Sequence, residues 1–140
     1  MQTIVIAGLV SVEKHELALD LARYYSTQGH SVALVDNIAR LRLPDDQLPA
    51  DVALQRIEGT LTAAAITLLD ADMVIIAASE MAEPESLFTA LLDLPNVQIL
   101  ALIDTRTCDC FPNVRESLEL HVDAVLNLPI SYQDLLEVVA

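Results

Sequence analysis

The stretch from Thr3 to Asp36, TIVIAGLVSVEKHELALDLARYYSTQGHSVALVD, decides the fold. Thr3 to Ala7 is a short apolar run of the kind that makes a buried strand, and Gly8 to Glu13 reads as a turn. From Lys14 to Gln28 the apolar residues Leu17, Ala18, Leu21, Ala22 and Tyr25 recur at spacings of three and four, which places them on one face of a helix. Gly29 is positioned to stop that helix, because glycine takes a left-handed cap without strain. Ser31 to Val35 is a second apolar run, ending at Asp36. Strand, helix and strand make one βαβ unit, whose crossover is almost always right-handed. In open sheets of this kind a ligand binds at the carboxyl ends of the strands, here the turn after the first strand.

Working outward, Asn37 to Ala50 is a connector marked by Pro44, Asp45, Asp46 and Pro49. Val52 to Ile57 predicts a strand interrupted by Gln55 and Arg56, and Leu61 to Leu69 a helix opened by Gly59 and capped by Thr60. The unbroken run Met73–Ala78 is a strand. Pro84 starts a helix reaching about Leu92, and Val97 to Ile103 is the next strand. A polar loop, Asp104 to Pro112, precedes a helix at Asn113–Leu120. Asp123 to Leu128 is the last strand, and Ser131 caps a final helix. This alternation predicts an α/β, doubly wound, mainly parallel sheet of about five to six strands flanked by helices.

The chain of 140 residues is expected to form one domain, 1–140, large enough to bury roughly two thirds of its unfolded surface. Its 54% apolar content suits a sheet covered on both faces. No apolar run reaches the ~18 residues of a membrane span, and no charged leader precedes a cleavage site, so a cytoplasmic protein is the default expectation. Twenty-one carboxylates against seven Lys and Arg give a net charge of −14. That field repels nucleic-acid backbones and anionic membranes, which points away from nucleic acid and toward a protein partner with a basic surface.

The residues from Ala7 to Asp36 resemble, without a gap, the opening of ParA/MinD-type (SIMIBI) P-loop ATPases. The family pattern KGGxGKTT, then NLA, a glycine and VLLID, corresponds here to LVSVEKHE, DLA, Gly29 and VALVD. Further on, DVALQRIEGTLT, LLDADMVIIAAS and LPISYQDLLEVVA resemble the family's Walker B strand, its next strand and its ending. The resemblance implies a P-loop NTPase-like fold and, in an active member, ATP with Mg²⁺ as cofactor.

The chain departs from that pattern at the residues that carry the chemistry. A phosphate loop uses glycines so that successive N–H groups converge on an anion, with a lysine on the outer phosphates and Ser/Thr on Mg²⁺. Here the three glycines are replaced by Val10, Ser11 and Glu13, the early lysine by Leu9, and the threonines by His15 and Glu16; Lys14 alone is retained. Glu13 would repel phosphate, yet suits the positive end of a helix, so the protein carries an anion of its own where the nucleotide's would go. The Walker B carboxylate is replaced by about Arg56, with Glu58 the nearest acid. If nucleotide binds, the resemblance assigns it Lys14, Glu13, Glu16, Asp36 and Asp104, with Glu16 and Asp36 offering two oxygens to Mg²⁺. Without nucleotide, Lys14 is a solvated residue of the first helical turn and Asp104 and Arg106 are ordinary loop polarity.

Cys108 and Cys110 lie in a polar loop far in sequence from His15, His30 and His121, without the four-ligand spacing of a structural zinc site, and read as reduced thiols. From Asp72 onward the chain also resembles a receiver domain, one lacking the acidic pair and lysine needed for phosphorylation. The expectation is a non-catalytic ParA/MinD-like module with no resident cofactor. It would act through protein contacts, as a homodimer or a heterodimer with an active paralogue, in positioning, partition or assembly of cellular machinery. The alternatives are an ATPase or GTPase with an atypical loop and a phosphorylation-incompetent receiver.

Overall fold

The computed structural model describes residues 1–8, 11–38, 46, 48–49, 51–79, 84–103, 122–127 and 130–139. Six strands form one parallel sheet: β1 (Gln2–Ala7), β2 (Val32–Ile38), β3 (Val52–Glu58), β4 (Met73–Ala77), β5 (Val97–Ile103) and β6 (Ala124–Asn127). Their order is β3-β2-β4-β1-β5-β6. The chain steps outward from β1 to β2 and β3, returns to β4 beside β1, and continues past β1 to β5 and β6. The winding direction thus reverses around β1 and β4, and the crevice at their carboxyl ends is the place where such sheets take ligands.

Four helices are described: α1 (Ser11–Thr27), α2 (Ala63–Thr67), α3 (Pro84–Leu91) and α4 (Tyr132–Val139). The two-residue alternation of strand side chains divides the core into two layers. Ile4, Ile6, Leu34 and Ile75 pack with Leu17, Leu21 and Leu135 of α1 and α4, while Val5, Val35 and Ile76 pack with Ile66, Leu87 and Leu91 of α2 and α3. Ile4, Val5, Ile6, Val74, Ile75 and Ile76 are wholly buried, which explains the unbroken apolar runs of β1 and β4. Each such side chain contributes roughly 1.5–3 kcal/mol through burial.

Gly29 stops α1 as its place in the sequence predicts. Its φ is +89°, its N–H donates to Ser26 O, and His30 N–H donates to Tyr25 O, the paired bonds of a Schellman cap. The His30 ring meets Tyr25 edge-on at 5.8 Å, supplying the contact that accompanies such caps.

Three boundaries differ from the sequence reading. Helix α1 begins at Ser11, three residues before Lys14, so positions 11 and 13, which the resembled pattern fills with loop glycines, hold helical backbone. Helix α2 has five residues and is capped by Thr62, whose Oγ1 accepts from Ala65 N–H at 3.2 Å; Thr60 lies outside it. Leu61 and Ile66 flank this cap at the staple positions and share one core layer, which fixes the helix start later than periodicity does. Strand β2 continues through Asn37 to Ile38, residues read from sequence as the start of the connector. The helix expected at Asn113–Leu120 lies outside the described residues. A receiver domain has the strand order 2-1-3-4-5, with the first two strands adjacent, whereas β4 separates β1 from β2 here.

Candidate functional site

The carboxyl ends of β1, β2, β3 and β4 bring together Gly8, Lys14, His15, Asp36, Asn37, Arg56 and the backbone of Ala78. Lys14 is the chain's only lysine. It is the fourth residue of α1, and helical side chains lean toward the helix N-terminus, so its stem runs back toward the sheet edge. The ammonium donates to Gly8 O and to Ala78 O, both at 2.7 Å, and the residue is 1% exposed. The expectation of a solvated lysine is therefore corrected: Lys14 joins the outgoing ends of two adjacent strands. Ala78 is fixed in turn by its N–H, which donates to Ile6 O at 2.9 Å. A charged donor on a buried carbonyl contributes about 1.5–3 kcal/mol.

Gly8 is required by this geometry. Its φ is +136°, and a Cβ there would lie 2.5 Å from the Leu102 carbonyl oxygen of β5. Only a residue without a side chain lets the chain leave β1 so close to β5 and still present its carbonyl to Lys14.

Asp36 ends the apolar part of β2 and lies opposite Arg56 of β3 in register. Arg56 Nη1 donates to Asp36 Oδ2 at 2.6 Å, and His15 Nε2 stands 3.8 Å from Oδ1. The Asp36 side chain is 1% exposed against 25% for Arg56, so a buried carboxylate is neutralised by a cation that reaches solvent. A buried carboxylate without such a partner is strongly disfavoured.

Asn37, the next residue, ties three segments together. Its Nδ2 donates to Ile57 O at 3.0 Å and Gly59 O at 2.9 Å, and its Oδ1 accepts from Ser79 N–H at 2.9 Å. This joins β2 to the exits of β3 and β4. We expect Asn37→Ala to lower the unfolding free energy by about 2 kcal/mol, from the loss of part-buried hydrogen bonds. Urea denaturation measures this, and an effect within experimental error would contradict the assignment.

The residues singled out in the sequence are distributed unevenly. Lys14, Asp36 and Arg56 belong to the cluster; Glu16 and Glu58 are exposed, so Glu16 and Asp36 do not form one enclosed pair of metal ligands. The backbone of Glu13 is in α1, but its side chain lies outside the described residues, as do Leu9, Val10, Asp104, Arg106, Cys108 and Cys110. Ser79 contributes its backbone N–H to Asn37. Among the described residues no group of three or more His, Cys, Asp or Glu is placed to hold a metal ion. Nor is any helix among them long and apolar enough to cross a membrane. Sequence reasoning missed Gly8 and Asn37. The signal for both was position, each lying at or next to the end of a buried strand that points into the crevice.

This six-stranded all-parallel sheet flanked by helices, with its reversal at β1 and β4, is a P-loop NTPase-like fold shared with solved structures of FtsY. The structure of FtsY from Mycoplasma mycoides matches with a TM-score of 0.59 and 16% identity, over 91% of this chain and 51% of that one. The signal recognition particle receptor FtsY from Elizabethkingia anophelis, solved in complex with GDP, matches with a TM-score of 0.56 and 19% identity, over 90% of this chain and 48% of that one. The chain thus spans about half the length of these structures. At such identities the likeness is one of fold. No protein-family model matches the sequence, and no curated protein matches it.

Proposed function

We propose that this chain is a ParA/MinD-like domain, spanning 1–140, that has given up nucleotide hydrolysis and acts as a protein-interaction or regulatory module. The observation that carries this reading is the pair of hydrogen bonds that the only lysine donates to Gly8 O and Ala78 O. In a working phosphate loop that ammonium faces the outer phosphates. Here it is buried in the sheet edge, and moving it to a nucleotide would strip two buried carbonyls of their donor.

Two further features support the reading. The residues aligned with the loop glycines at 11 and 13 are wound into α1, so they do not form an extended loop of converging N–H groups. Asp36, the acid that the family resemblance places near the metal, is engaged by the Arg56 guanidinium at 2.6 Å. A fixed cation beside that carboxylate opposes entry of a divalent one. This donor set does not fit Mg²⁺-nucleotide.

The role is then binding: to a protein with a basic surface, to a second copy, or to an active paralogue, in the cytoplasm, in positioning, partition or assembly of cellular machinery. The second reading, an atypical ATPase or GTPase, is favoured by the GDP held by the Elizabethkingia FtsY structure. Isothermal titration with ATP, GTP, ADP and GDP in Mg²⁺ separates the two. The proposal expects no binding heat, whereas micromolar binding abolished by Lys14→Met would establish the second reading. The same substitution is expected to lower stability by about 2 kcal/mol, since it leaves Gly8 O and Ala78 O without their charged donor. A Lys14→Met protein as stable as the parent would show that the ammonium is not part of the fold.

A further inference from the structure

At the other end of the strands from Lys14, two helices end over the same sheet face. Helix α2 leads into the start of β4 and α3 into the start of β5, and both pack on the same sheet face, through Ile66 and through Leu87 and Leu91. Because β1 alone separates β4 from β5, the two strand starts lie about 10 Å apart, the distance between neighbouring packed helices. Leu68 at the α2 C-cap is 85% exposed, Leu92 just beyond α3 is 60% exposed, and Phe88, one helical turn before Leu92, is 41% exposed. Among the described residues, these are three of the five exposed large apolar side chains.

The sequence around these side chains is acidic. Residues 57–103 contain seven Asp and Glu and no Lys or Arg. Asp70, Asp72 and Asp93, which follow the ends of α2 and α3, are all exposed. Among the described residues, the exposed Leu68 and Leu92 are flanked in sequence by these carboxylates and by no Lys or Arg. A second copy of this chain would bring two such acidic rims together, and an anionic membrane would be repelled. Complementarity therefore favours one occupant, a basic amphipathic helix of another protein, with apolar residues at i and i+4 or i+7 to meet Leu68, Phe88 and Leu92 and Lys or Arg on its flanks.

We infer that the α2–α3 edge, centred on Leu68, Phe88 and Leu92 and rimmed by Asp70, Asp72 and Asp93, is a docking surface for a basic amphipathic helix. This rests on the reading of the chain as a protein-interaction module and locates the contact away from the nucleotide-type crevice. The apolar side chains supply affinity and the acidic rim selects the sign of the partner.

The test uses the 140-residue chain and a fluorescently labelled synthetic peptide of Leu and Lys, with the leucines on one helical face. A peptide of the same composition, scrambled so that leucines surround the helix, is the control. Anisotropy titration is expected to show the one-faced peptide binding about tenfold more tightly than the scrambled one, with Leu68→Ser/Leu92→Ser removing that advantage. Binding is also expected to weaken on raising the salt from low to several hundred millimolar. Equal binding of both peptides, or full binding by the double variant, would overturn the proposal by reducing it to general charge attraction. Self-association of the chain that the double variant abolishes would overturn it in favour of a second copy. An unfolding midpoint markedly lowered by the double substitution would also overturn it, because the side chains would then be covered by the chain itself. A chain that binds neither nucleotide nor peptide loses this surface alone, whereas one that binds nucleotide at Lys14 loses the underlying reading whatever the peptide does.

Discussion

Gly8→Ala is expected to destabilise the protein by about 4 kcal/mol, a large share of the roughly 5–15 kcal/mol by which a domain is stable. Two effects add. The backbone at φ +136° is closed to L side chains without strain of about 1–3 kcal/mol. The new methyl would also stand 2.5 Å from the Leu102 carbonyl oxygen, a backbone atom that moves only if β5 moves. Because β5 pairs with β1 from Thr3 to Ala7, that displacement would strain the ladder next to Gly8 and carry its carbonyl away from Lys14. Chemical denaturation with circular dichroism measures the loss. A Gly8→Ala protein within about 1 kcal/mol of the parent would mean that the exit from β1 is wider than described.

Arg56→Met is expected to cost about 3 kcal/mol, because it removes the guanidinium while leaving Asp36 1% exposed. The sign of the effect depends on which partner is lost. Removing one member of a buried pair strands the other, whereas replacing both can be nearly neutral. Asp36→Asn combined with Arg56→Met should therefore recover much of the loss, and a double-mutant cycle read from denaturation midpoints gives the coupling directly. His15 Nε2 stands 3.8 Å from the same carboxylate and offsets part of the loss only when its ring is protonated. An additive double variant would show that the 2.6 Å contact contributes nothing to the fold.

Most of the architecture was legible because the signals were redundant. The runs Thr3–Ala7 and Met73–Ala78 are apolar without interruption since both sheet faces are covered, and helix α1 carries its periodicity over four turns before Gly29 stops it. Helix α2 was overextended because alanine and leucine fill both the helix and its flanks. The decision between Thr60 and Thr62 rests on a side-chain bond to Ala65 that local sequence does not distinguish.

The site was half legible. The substitutions at 11, 13, 15 and 16 announced that the phosphate loop was altered, and Arg56 announced a cation in place of an acid. Where Lys14 goes instead was hidden, since its second acceptor, Ala78 O, lies 64 residues away and belongs to backbone, which leaves no trace in residue type. Arg56 and Asp36, 20 residues apart, meet only through the parallel register of β2 and β3. Asn37 was masked by its neighbours, because polar residues after a strand ordinarily begin a loop.

The most direct test of this account is amine labelling, which the composition makes unusually clean. With Lys14 the only lysine, an acylating reagent has the amino terminus and one ε-amine to find. Mass spectrometry of the native protein treated with such a reagent is expected to show the amino terminus modified and Lys14 untouched, equally with and without Mg²⁺-ATP or Mg²⁺-GTP, and Lys14 modified once denaturant is added. Rapid native labelling of Lys14 that nucleotide suppresses would contradict it, by showing an ammonium free in the crevice and held by phosphate instead of by the ends of β1 and β4.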